Sequence, residues 1–424
     1  MKNLFVSLVL IAQSLFVSAP YISSPINCKQ SKNIYESTDI QYEESFYQNN
    51  NLDDYLNVPN DTYISQQWAL NNISMYQAWE LYYSADTVSV GVIDSGIDAS
   101  HPDLINRVNR ELSKDFAHLE YDIHYNPFDD DVAHGTHVAG IIGAESNNGK
   151  GIAGICPNVE LISLKVGRTQ KTYEDASTTE EIINNMVRAI NYASENQIDM
   201  LNISMTVHIT EEMIEAIQNY PGLIVCSAGN NGYDNDLIES YQILSSFENV
   251  MFVGASDINN NRSIWDERQS SHYGKNTVDV FAPGTDVYST YTYKNYHALS
   301  GTSMAAPHVT GLAALLLSYN SQLTIYEIKQ GIIDTVDKQE TMENICVSGG
   351  RINAYKALLK FHRHSYTYRK RDKNLHVGSC RYCNNKVTEF HTWISNPVGV
   401  RCSKCGYEDQ YGQIIMSVEN INTI

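Results

Sequence analysis

Positive charge is scarce in this chain of 424 residues: 29 Lys and Arg stand against 49 Asp and Glu, a formal charge of −20. That excludes a nucleic-acid-binding surface spread over the whole molecule and leaves only local basic segments for an anionic partner. Long apolar runs are scarce too. The one example, Leu4 to Ala19, falls short of the about 20 residues that a membrane-spanning helix needs. It follows Lys2 and closes on Val17-Ser18-Ala19, so residues 1–19 read as a secretory signal peptide, with an uncleaved anchor as the alternative. Cys28 lacks the preceding small residues of a lipidated cysteine, and no internal repeat is visible. What is present is globular: 42% hydrophobic and 18% charged residues exclude disorder throughout. The length suits several domains, or one large α/β domain with an appendage.

Residues 20–56, rich in Tyr, Asn, Ser and Glu, show no sustained apolar period and read as a poorly ordered leader or short propeptide. The texture changes at Asn57. Val88 to Ile93, Ile198 to Met205 and Leu223 to Ala228 are buried-strand runs. Thr178 to Asn196 has the apolar spacing of a helix (Ile182, Ile183, Met186, Val187, Ile190, Tyr192), with Glu180 and Glu181 in the first turn where its dipole favours them. Strands alternating with such helices predict an α/β fold with a mainly parallel sheet.

Reactive residues gather at the ends of these elements, where parallel-sheet enzymes place their chemistry. Asp94, in VIDSGID, ends a strand and can orient an imidazole or simply make a turn. His134 and His137, in HGTHVAGIIG, are three apart. A shared metal is one reading, but the Glu of a zinc-protease helix is missing between them; a lone buried histidine is the bland one. Ser303, in SGTSMAAPHVTG, stands at the mouth of a long apolar helix as a nucleophile or an N-cap. Asn230, ending LIVCSAGN, offers a side-chain amide to an oxyanion.

In the order Asp94, His134, Asn230, Ser303, with these motifs around them, the chain resembles the subtilisin-like serine proteases of thermitase type, from about Pro59 to Ala357. The resemblance implies a three-layer α/β fold over 57–361 and a secreted endopeptidase acting as a monomer on protein or peptide substrates, with no membrane span once the signal is removed. In it Ser303 attacks the scissile carbonyl, His134 moves the proton, Asp94 orients His134, and Asn230 with the Ser303 N–H holds the oxyanion. His137 becomes structural. The resemblance further implies a structural calcium ion held by side chains of Asp61, Asp103 and Asn148 and backbone oxygens of Glu145, Lys150 and Ile152, an all-oxygen set suited to a hard cation. A polar loop without an ion is the alternative.

The chain departs from the family pattern at the substrate-flanking strand, where Ser204, Met205 and Thr206 replace a glycine-rich stretch and are expected along the cleft rim. The opposite rim, Val166 to Gln170, also differs. These changes motivate a dedicated processing enzyme for one partner or precursor; an inert binding protein on the same scaffold is a further alternative. The 37 residues between Ala19 and Asn57 are short for a self-folding chaperone segment.

After Lys360 the chain turns basic, and 362–374 read as a linker to a β-rich module over 375–424. There Cys380, Cys383, Cys402 and Cys405 stand in a C-x2-C-x18-C-x2-C spacing. This predicts one four-cysteine zinc site of ribbon type, with two disulfides as the alternative. Cys156 and Cys226 read as buried thiols. A secreted protein with such a module is extracellular or cell-surface associated.

Overall fold

A computed structural model describes residues 58–409 except 83–85, 119, 121, 123, 168–176, 207, 363, 382, 384 and 397–398. The signal segment, the leader, Cys28, rim residues Arg168 to Gln170 and the end of the module lie outside the described residues.

The strands are β1 (Val88–Asp94), β2 (Lys114–Asp115), β3 (Val159–Lys165), β4 (Met200–Ile203), β5 (Leu223–Ser227), β6 (Val250–Ser256), β7 (Val280–Pro283), β8 (Val287–Tyr291), β9 (Asn295–Leu299), β10 (Asp337–Lys338) and β11 (Gly350–Arg351). All but β8 and β9, which form a separate hairpin, join a nine-stranded sheet in the order β10-β11-β7-β6-β5-β4-β1-β3-β2. Every pairing in it is parallel except β10 with β11. Parallel strands are covered on both faces, which is why β1, β5 and β6 are almost continuously apolar.

The helices are α1 (Trp68–Asn72), α2 (Met75–Leu81), α3 (His134–Gly143), α4 (Thr179–Glu195), α5 (Glu211–Asn219), α6 (Glu239–Ser245), α7 (Thr302–Tyr319), α8 (Ile325–Asp334) and α9 (Ala354–Lys360). Alternate strand residues point to opposite faces. Val90, Val92, Val225 and Val253 pack with α2, α3, α7, α8 and α9, whereas Ile93, Ile162, Leu201 and Ile224 pack with α4 and α5. The result is helix, sheet, helix: a three-layer α/β fold with a mainly parallel sheet, as the sequence predicts. Thr178 caps α4 in a capping box with Glu181, and Thr324 does the same for α8 with Glu327. Helix α7 is buried almost along its whole length. Among the described residues no helix is long and apolar enough to cross a membrane.

Beyond α9 lie two small antiparallel sheets, β12 (Tyr366–Lys370) with β13 (Leu375–Cys380) and β14 (Lys386–Phe390), and β15 (Trp393–Asn396) with β16 (Gly399–Cys402) and β17 (Glu408–Asp409). The segment 362–374, expected as a linker, thus belongs in part to the module. Its alternating Tyr366-Thr367-Tyr368 pairs residue by residue with Cys380-Ser379-Gly378, and basic residues occupy the exposed end of that strand.

Candidate active site and metal-binding clusters

Sheet order reverses at β1, with β3 on one side and β4 on the other. Such a switch point opens a crevice above the strand ends. Asp94, the last residue of β1, is buried beneath it. Its Oδ1 accepts hydrogen bonds from His134 Nδ1 at 2.8 Å and from the Ser95 backbone N–H at 2.8 Å. His134 opens α3, and Gly135 lets that turn close on the strand. A Cβ at Gly135 would lie 2.1 Å from the Gly96 carbonyl oxygen and 3.1 Å from the Asp94 Cβ. Burial alone would lower the His134 pKa; the charge of Asp94 and its hydrogen bond outweigh burial and hold it above the ordinary histidine value.

Ser303 is the second residue of α7, two positions after Gly301, which holds the N-cap position. Pro307 has no N–H to offer the Ser303 carbonyl four residues before it. Ser204 Oγ fills that position, donating to the Ser303 carbonyl at 2.9 Å, and Ser303 Oγ donates back to the Ser204 carbonyl at 3.0 Å. The Ser303 hydroxyl is therefore turned to Ser204 rather than to His134. Asn230 is oriented by its oxygen, which accepts from the Thr302 N–H at 2.9 Å and the Thr302 hydroxyl at 2.8 Å. That aims the amide nitrogen the other way. A Cβ built on Gly301 would lie 3.6 Å from both Asn230 Nδ2 and Ser303 N, so the two nitrogens lie close together beside the start of α7.

Sequence reasoning passed over Asp130. Burial pushes its carboxyl up to about 6 against the donors that hold it. Those donors are the Thr136 N–H at 2.8 Å, the Thr136 hydroxyl at 2.6 Å and Ser95 Oγ at 2.7 Å. Because Ser95 Oγ also reaches Asp94 Oδ1 at 3.1 Å, Asp130 ties the start of α3 to the end of β1. Its one signal in the sequence was the Asp129-Asp130-Asp131 run before His134. His137 bonds through Nε2 to the His297 carbonyl at 3.0 Å, and burial drives its pKa down to about 3, the behaviour of a neutral core histidine. Burial pushes the Cys156 and Cys226 thiols up to about 12, which leaves them unreactive.

Of the rim residues, Ser204 turns its side chain inward to α7, Met205 is half-buried against the second core, and Thr206 is exposed. Asp61 and Asp103 are both buried. Asp61 accepts from the backbone N–H of Asn147 at 2.9 Å and of Asn148 at 3.1 Å. Asp103 accepts from Asn148 Nδ2, the Ile152 N–H and the Tyr296 hydroxyl, each at 3.0 Å. Burial raises the Asp61 pKa, and the like charge of Asp103 adds to it.

The four module cysteines do not share one site. The fold parts them into His362, His364, Cys380 and Cys383 in one cluster and His376, His391, Cys402 and Cys405 in another, the ligand atoms of each lying within 4.8 Å of one another. None of the four sulfurs is in a disulfide. The spacing concealed this because His376 precedes Cys380 in the chain yet belongs to the second cluster. On β13 the two residues share a face four positions apart, about 13 Å along the strand, which holds the clusters apart. The density of histidines between 362 and 391 was the missed signal.

Residues 85–349 match the profile described as the Subtilase family. The chain is 37% identical over 314 residues to the thermophilic serine proteinase of Bacillus sp. (strain AK1), covering 71% of this chain and 69% of that one. It is 32% identical to thermitase of Thermoactinomyces vulgaris over 306 residues, covering 71% and 99%. A solved protease structure from Pseudoalteromonas arctica PAMC 21717 superposes with a TM-score of 0.59 at 25% identity, covering 72% of this chain and 100% of the other.

Proposed function

The chain belongs to the subtilase family of serine endopeptidases, and from that premise we propose that Ser303, His134 and Asp94 carry its chemistry. The Ser303 hydroxyl turns from the Ser204 carbonyl to the His134 ring and attacks the scissile carbonyl of a peptide. His134 takes the proton on Nε2 and returns it to the leaving amine; water then releases the acyl group by the same route in reverse. Asp94 fixes the tautomer through Nδ1 and stabilises the imidazolium. The negative oxygen of the tetrahedral intermediate is received by Asn230 Nδ2 and the Ser303 N–H, at the positive end of α7.

The observation that carries this reading is the 2.8 Å bond between His134 Nδ1 and Asp94 at the end of β1. Its test is digestion of a random peptide mixture by the protein and by Ser303→Ala, with and without a serine-directed phosphonate. Cleavage by the wild type alone, abolished by the phosphonate, is expected. Cleavage by Ser303→Ala would remove the nucleophile from this account.

A narrower task, maturing one partner or precursor, is favoured by the exposed Thr206 at the rim, which would crowd an extended peptide, with Met205 packed beside it against the second core. Cuts confined to one sequence motif in the same digest would support it. Secretion rests on residues 1–19, and sequencing the mature N-terminus of the protein from medium tests it.

The calcium reading rests on two buried carboxylates, Asp61 and Asp103, that repel each other. In the structure their oxygens accept from the N–H groups of Asn147, Asn148 and Ile152, from Asn148 Nδ2 and from the Tyr296 hydroxyl, so the Asn148 amide would have to turn its oxygen inward to join them on an ion. A bound calcium would relieve that repulsion and brace the loop after α3. Calcium is expected to raise the unfolding temperature of the wild type and not of Asp103→Asn.

A further inference from the structure

We propose that the C-terminal module binds two zinc ions at two separate His2Cys2 sites, and that the first ion fastens the module to the end of the helix bearing Ser303. The geometry of each cluster is that of a tetrahedral metal site. In the first, His362 Nε2 lies 3.2 Å from Cys380 Sγ and His364 Nδ1 lies 3.3 Å from Cys383 Sγ. In the second, His376 Nδ1 lies 3.2 Å from Cys402 Sγ and His391 Nδ1 lies 3.4 Å from Cys405 Sγ. Tetrahedral zinc with bonds of about 2.3 Å to sulfur and 2.0–2.1 Å to nitrogen has N···S edges of about 3.5 Å. Two thiolates and two neutral imidazoles also balance the charge of one divalent ion, so neither site buries net charge.

The outward ring nitrogens supply an independent sign. His362 Nδ1 meets the Tyr319 hydroxyl at 2.6 Å, His391 Nε2 the Asp372 carbonyl at 3.0 Å, and His376 Nε2 the Glu389 carboxylate at 3.4 Å. An N–H held by oxygen on one side of the ring leaves a lone pair on the other, aimed at the sulfurs. This is how metal-bound histidines are oriented. The module has little else to bury. Among its described residues the buried side chains are His362, His376, His391, Cys380, Cys402 and the single aliphatic Val400. Each cysteine pair sits at a hairpin end, with the Cys380 N–H donating to the Asn385 carbonyl and the Cys402 N–H to the Tyr407 carbonyl.

The two sites differ in what they join. All ligands of the second lie within the module. The first takes His362 from the end of α9, where its N–H still donates to the Leu359 carbonyl. The same ring stacks on Tyr319, the last residue of α7, and Cys383 packs against the main core. An ion bound there links the catalytic domain to β13.

The test uses the full chain carrying Ser303→Ala, so that self-cleavage cannot remove the module. Elemental analysis is expected to give two zinc ions per chain, falling to one in His364→Ala/Cys383→Ser and to one in His391→Ala/Cys405→Ser. Cobalt substitution is expected to show two cobalt–thiolate bonds per ion, a readout that needs no variant. The unfolding temperature of the catalytic domain, followed by its circular dichroism, should fall in the first variant and stay unchanged in the second. One zinc per chain with four thiolates per cobalt, or zinc-free protein with mass-mapped disulfides, would overturn the two sites. Equal thermal shifts in both variants would overturn the fastening role. None of these readouts depends on peptidase activity.

Discussion

In the catalytic domain β1 to β7 bury aliphatic side chains on both faces, and α7 is buried nearly end to end; among the described residues past Lys360 the buried side chains are imidazoles and thiols with one valine. The first region has apolar surface enough to hold its shape, so its polar residues at strand and helix ends are released for chemistry. Asp94, His134 and Asn230 sit at strand and helix ends, tied to one another and to the neighbouring turns by hydrogen bonds and not by apolar packing. In the module the same residue types are the interior. A small chain with so little to bury needs cross-links or metal, and there a histidine is a structural part.

The sharpest way to break that comparison is to remove the nucleophile. Ser303→Ala is expected to lower kcat by about 10⁶-fold, the scale known for the nucleophile of a subtilisin, while leaving the unfolding temperature unchanged within error. A large loss of stability instead would mean that the Ser204 exchange, and not chemistry, explains the serine. Next in size is Asn230→Ala, expected to lower kcat by about 10²–10³-fold with little change in KM, the range measured for the corresponding donor in a subtilisin. A change confined to KM would place Asn230 in ground-state binding.

How much of this could be read from the sequence follows the same division. Contiguous motifs mark the catalytic domain because each reactive residue sits at the end of a strand or helix whose apolar pattern is local. The parallel sheet was legible from runs such as Val88 to Ile93 because both faces are covered. The reciprocal bonding of Ser204 and Ser303 was not legible, since it depends on Pro307 leaving a carbonyl free for a residue about a hundred positions away in the chain. Nor were the module's histidines, whose assignment depends on strand register: His376 and Cys380 share a face of β13 but serve different clusters. Spacing shows that cysteines pair, and only the fold shows with what.

A smaller effect concerns pH. His134 must be neutral to accept the serine proton, so kcat/KM should fall as pH drops through its pKa, which Asp94 holds above the ordinary 6.5. Asp94→Asn removes the main group that raises this value and leaves burial, which lowers it, opposed only by the charge of Asp130. The acid limb of the pH–rate profile is then expected to move to lower pH while the rate itself collapses. An unmoved limb would show that another group sets it.

The smallest expected effect tests how robust the catalytic domain is. Thr178 caps α4 by accepting from the Glu181 N–H while the Glu181 side chain accepts from the Thr178 N–H. Thr178→Ala removes one of these two bonds at an exposed helix end, worth about 1 kcal/mol. Met186, Ala189, Ile190 and Ala193 still pin α4 to the sheet, so calorimetry should show a fall of about 2–4 °C and unchanged peptidase activity. Cys402→Ser, also a single-side-chain change, removes a ligand from a cluster with no comparable apolar packing beside it. Amide exchange across β15 to β17 is then expected to lose its protection altogether. If the cap proved as damaging as the ligand, the domain would depend on local bonds as much as the module does, and the contrast between an apolar interior and a liganded one would fail.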